Sequence, residues 1–184
     1  VVAEAIRDVV DALEPGIRTD ELDKIATKTI LGRGAELSFK GYRGFPASIC
    51  VSVNEELVHG IPGDKMIRVG DIVSVDVGAI VNGFQADSAV TVGVGEIGVD
   101  CQRLIDTTKE SLEAGIKMAR AGARLSDISS SIQGYIENLG YSVVREYVGH
   151  GIGRSLHEDP QIPNYGSPGR GPVLRRGMAL AIEP

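Results

Sequence analysis

The chain has 184 residues, a formal charge of −6, 42% hydrophobic and 24% charged side chains. That is enough apolar content for one sizeable core, and the wrong sign for a protein that binds by neutralising a nucleic-acid backbone. No run of Lys or Arg forms a basic stripe, so direct nucleic-acid partners are not expected. Cys50 and Cys101 are the only cysteines, in dissimilar surroundings; there is neither a disulfide framework nor a Cys-x-x-Cys pair, which points to a reducing, cytoplasmic setting. No apolar stretch approaches the roughly 20 residues that span a bilayer and the start is unlike a signal peptide, so no membrane partner is expected. The chain opens on Val1-Val2 inside a helical pattern and stops at Glu183-Pro184 on the edge of an apolar run; both ends read as cut.

Residues 3–14 place Ile6, Val9, Val10 and Leu13 at helical spacing, and Pro15-Gly16 stops them. Thr19 is suited to cap a second helix whose first turn carries Asp20 and Glu21, with Leu22, Ile25 and Ile30 facing inward until Gly32 and Gly34 end it. A third helix is predicted from about Asp100 to Ala121, through Leu104, Ile105, Leu112 and Ile116, stopped by Gly122. A fourth begins at Ser126 and runs through Ile128, Ile132, Tyr135, Ile136 and Leu139 to Gly140. The junctions resemble each other: Gly16-Ile17-Arg18-Thr19-Asp20-Glu21-Leu22 lines up with Gly122-Ala123-Arg124-Leu125-Ser126-Asp127-Ile128. An internal repeat follows as an expectation.

Between the helix pairs, Asp71 to Val92 holds two β-rich runs flanking Asn82-Gly83, the strongest short hairpin signal. A two-residue loop pairs Val81 with Phe84, sets Gly78 opposite Asp87 and Asp76 opposite Ala89, and places both aspartates on one face as diagonal neighbours within about 7–8 Å. Two carboxylates at that spacing suit a pair of divalent ions roughly 3.5–4 Å apart, with Gly78 and Ala89 leaving room. Val73, Val75 and Val77 would face the opposite, packed side. Asp76, between Val75 and Val77, is costly to bury alone and needs a cation.

Three histidines are present. His150 follows a strand-like run from Tyr141 to Val148 and lies between two glycines, which lets the backbone approach a ligand and resist regular structure. Gly151, Gly153 and Pro160 favour a loop or extended path to His157, giving a divergent pair in which one imidazole binds metal and the other contacts substrate. Met178 to Glu183 reads as a buried strand with a carboxylate at its tip.

Taken together, Val58-His59-Gly60-Ile61-Pro62, the run Asp71 to Val77 with Asp76, Asp87, Gly149-His150-Gly151-Ile152-Gly153 with His157, and Ile182-Glu183-Pro184 resemble the type I methionine aminopeptidases. These share the pita-bread fold with prolidases and creatinase. The resemblance implies an α+β fold of two pseudo-symmetric αα-β halves, about 1–95 and 96–184, around a curved antiparallel sheet. The whole would be a single catalytic domain, incomplete at both ends. It implies metal ligands at Asp76, Asp87, His150 and Glu183, substrate-contacting imidazoles at His59 and His157, and two divalent ions, with Mn, Fe or Co as suited as Zn to an oxygen-rich set. The family supplies a further bridging Glu from a later strand, which leaves this chain one ligand short for activity as it stands.

The implied reaction is hydrolysis of the first peptide bond by a metal-activated water, removing the initiator methionine of nascent proteins. In it Glu183 relays the proton, His157 hydrogen-bonds the carbonyl oxygen and His59 supports the scissile nitrogen. The loop Tyr42-Arg43-Gly44-Phe45-Pro46 with Cys50 and Leu156 would grip the methionine thioether, Leu156 standing where an aromatic is common. The partner would be the N-terminal peptide of a nascent protein, close to the ribosome, and the protein a monomer. Two other functions fit the same motifs: a proline-directed peptidase of this fold, and a peptide-binding module without turnover.

Overall fold

The computed structural model describes residues 1–184 and divides into two compact units, Val1–Gln102 and Arg103–Pro184. The first holds α1 (Val2–Asp11), α2 (Thr19–Gly32), β1 (Glu36–Leu37), β2 (Ile49–Val53), β3 (Ile72–Val81) and β4 (Phe84–Gly93). α3 (Val99–Met118) begins there and continues into the second unit, which adds α4 (Leu125–Asn138), β5 (Gly149–Gly151), β6 (Glu158–Ile162) and β7 (Leu180–Ala181). Helices beside purely antiparallel strands make this an α+β chain.

In the first unit β3 is the organising strand. β4 pairs with it from Ile72↔Gly93 to Val81↔Phe84, while β2 and β1 pair with it at Val73–Val77 and at Ala79 and Ile80. Val73, Val75, Val77 and Ala79 are fully buried with Val9, Leu22, Ala26 and Ile30, so alternate residues of β3 face the helices and the residues between them, Asp76 included, face the other side. Asn82 and Gly83 both take positive φ, 52° and 75°, as the expected two-residue turn demands. Asp23 on α2 fastens β2 from outside the ladder: its Oδ1 accepts the N–H groups of Ser48 and Ile49 at 2.7 and 3.1 Å.

Thr19 does not cap α2. The cap position is Arg18, whose N–H is taken by Glu21 at 2.9 Å; Thr19 is already helical, and its hydroxyl both accepts from Gly63 N–H and donates to Gly63 O. The same construction recurs in the second unit, where Asp127 accepts Arg124 N–H at 2.9 Å at the start of α4. Gly16 donates to Ile67 O and Gly122 to Leu174 O, and the lone bridges Arg18↔Met66 and Arg124↔Val173 follow. The aligned junction motifs therefore make the same backbone bonds in each unit.

Two expectations for the second unit differ from the structure. α3 buries Thr107, Ser111 and Gly115 while Leu104 and Ile116 are exposed; small residues let the helices approach, since a Cβ at Gly115 would meet Ile132 at 2.8 Å. The run Tyr141 to Val148 forms no strand. It meets no sheet edge, and side chains fasten it instead: Arg103 lies over the Tyr141 ring and Arg145 over Tyr165. The strand is β5, and His150 sits inside it, paired with Gln161 of β6 and Ala181 of β7.

Gly149 is in β5 because nothing larger fits: a Cβ there would lie 2.3 Å from Ala181 O and 3.4 Å from Glu183 N. Both obstacles are backbone and cannot rotate away. Gly149→Ala should therefore cost about 1–3 kcal/mol through forced backbone shifts, read as a lower urea midpoint. A midpoint equal to the parent's would show slack in this ladder.

Candidate metal centre

In the first unit the carboxylates stand as the hairpin register requires. Asp76 pairs with Ala89, Gly78 with Asp87, and cross-strand partners share a face, so both aspartates project from the side opposite the valines. Both are half-buried. On the other edge of β3, Cys50 pairs with Asp76. Burial pushes the Cys50 thiol up to about 12, and the charges of Asp76 and Asp87 push the same way: three electron-rich groups occupy one small region. A cation would relieve that repulsion.

The space above Gly78, expected to be open to ions, is filled. A Cβ at Gly78 would fall 2.4 Å from Cε1 of Phe39, a buried ring that forms an apolar wall beside the aspartates. Phe39 carries no sequence signal for this role, because it precedes a turn and belongs to no periodic element.

His59 stands on the loop after β2. Its neighbour Gly60 lies against that strand, giving its carbonyl to Val51 N–H at 2.9 Å and its N–H to Ser52 Oγ at 3.0 Å. His59 itself is exposed and holds φ of 58°, a conformation uncommon outside glycine that is held here by the bonds around it. Tyr42 and Phe45 form a single 3-10 turn and the residue after it, half-buried and outside the residues that build the hydrophobic core.

The second unit brings together His150, His157 and Glu183. His150 Nδ1 is 2.9 Å from Gly151 O; a carbonyl can only accept, so Nδ1 carries a hydrogen and Nε2 is the nitrogen left to meet a ligand. That nitrogen faces Glu183 Oε1 at 3.2 Å. Two electron-pair donors so placed need a proton or a metal ion between them, and an imidazole oriented by a backbone carbonyl is the usual form of a histidine ligand. The residues fit a divalent cation. His157, just ahead of β6, has its ring centroid 4.2 Å from that of His150, tilted by 46°. The two rings are neighbours and do not diverge, because the bend over Ile152–Leu156 brings the chain back beside β5. Leu156 is buried.

Asn164 also escaped the sequence reading. It sits in Pro163-Asn164-Tyr165-Gly166, which reads as an ordinary turn, yet it is buried and its Nδ2 donates to Glu183 O at 2.5 Å.

The model of metallopeptidase family M24 matches residues 1–184. A methionine aminopeptidase of Bacillus subtilis is 56% identical over 184 residues, covering 100% of this chain and 74% of that protein. The crystal structure of a methionine aminopeptidase from Thermotoga maritima superposes with a TM-score of 0.96 at 49% identity, over 98% of this chain and 73% of that one. A prolidase from Pyrococcus furiosus has a TM-score of 0.85 at 25% identity, over 97% of this chain and 51% of that one. The pita-bread fold is common to these neighbours, while the sequence sides with the aminopeptidases. The chain belongs to metallopeptidase family M24 and, within it, to the methionine aminopeptidases.

Proposed function

We propose that the protein removes the initiator methionine of nascent proteins, and that Asp76, Asp87, His150 and Glu183 together hold two divalent ions, of Mn, Fe, Co or Zn. The observation that carries the metal assignment is His150 Nε2 facing Glu183 Oε1 at 3.2 Å while Nδ1 is held on Gly151 O, an arrangement that suits a cation. Bound there, the ions would lower the pKa of a water toward neutrality and so supply hydroxide.

The chain's own residues do the rest. Glu183, half exposed beside His150, can take the proton released from the water and pass it to the departing amine. His157, whose ring neighbours His150, is assigned to the carbonyl oxygen of the scissile bond, where a donor stabilises developing negative charge. His59 is assigned to the scissile nitrogen; its side chain is exposed and its backbone holds a φ of 58°. Tyr42, Phe45, Cys50 and Leu156 are assigned to the methionine side chain, for which aromatic edges and a soft apolar lining are favourable.

The substrate is the N-terminal peptide of a new protein, met near the ribosome by a cytoplasmic monomer. No helix is long and apolar enough to cross a membrane. A proline-directed peptidase and a peptide-binding module are less well supported, given 56% identity to a methionine aminopeptidase along the whole chain.

In protein that carries the family's further bridging Glu, chelator stripping should abolish cleavage of Met-Ala-Ser, and Mn²⁺ or Co²⁺ should restore release of free methionine. Cleavage confined to bonds before proline, or tight binding of the peptide without metal, would refute this assignment. Asp76→Asn should weaken Mn²⁺ binding in calorimetry by at least about 100-fold, more than is usual for an outer partner of a ligand.

Cys50 tests the acidic pair from the other side. Its raised pKa keeps the thiol protonated throughout the neutral range, so iodoacetamide at pH 7.5 should label the half-buried Cys101 well before Cys50. Equal labelling rates would contradict the charged, desolvated setting assigned to Cys50.

A further inference from the structure

A carboxylate that serves as a ligand must be held from behind, and the two units do this differently. Asp76 is mid-strand, with Cys50 paired on one side and Ala89 on the other. Glu183 lies two residues past β7 (Leu180–Ala181), outside the paired residues of the ladder. Its side chain is 49% exposed and that of His150 7% exposed.

Asn164 restrains the Glu183 main chain. Its Nδ2 donates to the main-chain carbonyl of Glu183 at 2.5 Å, and the residue is only 3% exposed. The partner fixes which way the amide points, because a carbonyl cannot donate. The other end of the amide, Oδ1, is buried with no hydrogen-bond partner, an arrangement that is costly in itself. The fold tolerates that cost in order to place a donor on Glu183.

We propose that Asn164 is a positioning residue: by anchoring the Glu183–Pro184 peptide it aims the Glu183 carboxylate at the metal position opposite His150 Nε2. This rests on the assignment of Glu183 as a metal ligand, and the test separates the two ideas.

Mn²⁺ affinity of the stripped protein would be measured by calorimetry for Asn164→Leu, which keeps the shape and removes the donor. Affinity should fall about 10–100-fold; in protein that carries the family's further bridging Glu, kcat for Met-Ala-Ser should fall and recover at saturating Mn²⁺, and KM should stay within about twofold. The same substitution added to Glu183→Gln should cause no further loss, because Asn164 acts through Glu183. Ser129→Ala, a buried site on α4, controls for lost stability and should leave Mn²⁺ affinity unchanged. If Asn164→Leu does not fold, Asn164→Ala, which only removes atoms, decides the question. A folded Asn164 variant that binds Mn²⁺ within twofold of the parent overturns the positioning role. If Glu183→Gln itself leaves the affinity unchanged, the ligand assignment fails and the positioning role falls with it.

Discussion

The register of the β3–β4 hairpin is the constraint on which the first unit depends. With a side-chain period of two, a slip of one residue would turn Asp76 into the core and bring Val75 and Val77 out to solvent. Burial of Val73, Val75, Val77 and Ala79 against α1 and α2 resists that slip, and the Asn82-Gly83 turn closes the strands in the one register that satisfies it. Apolar burial on one face is thus what holds like charges together on the other. Each buried valine is worth about 1.5–3 kcal/mol, which offsets the repulsion between two half-exposed carboxylates.

The second unit reaches a comparable arrangement with less regular structure. β5 is three residues long and β7 two, so ladder bonds alone restrain little. Glycine at 149 lets the backbones of β5 and β7 close together, and Gly151 O orients the His150 ring. The main-chain carbonyl of Glu183 accepts from a side-chain amide, that of Asn164. In a short strand the polar groups that a long ladder would satisfy must find side-chain partners, and those partners become part of the site's support.

Charge and burial also separate the roles of neighbouring residues. Cys50 shares a strand pair with Asp76, but the same desolvation and negative charge that would favour a cation hold its thiol protonated. A thiol in that state is a poor nucleophile and a poor ligand at neutral pH. The role proposed for it, an apolar and polarizable surface, is compatible with that state.

Much of this was legible along the chain. Helix positions, the hairpin and its register, and the family itself all rest on local signals: helical spacing, Asn-Gly, and short motifs whose spacing is tight. The failures share one cause. The cap of α2 at Arg18, the buried small-residue face of α3, the absence of a strand at 141–148, Phe39 over Gly78 and Asn164 on Glu183 each depend on a partner far away in sequence. The sequence by itself determined which residues carry lone pairs and which faces are apolar, because periodicity and turn chemistry act between near neighbours. The tertiary structure alone decided what fills the space beside them, since contacts between distant segments follow from packing and leave no periodic trace.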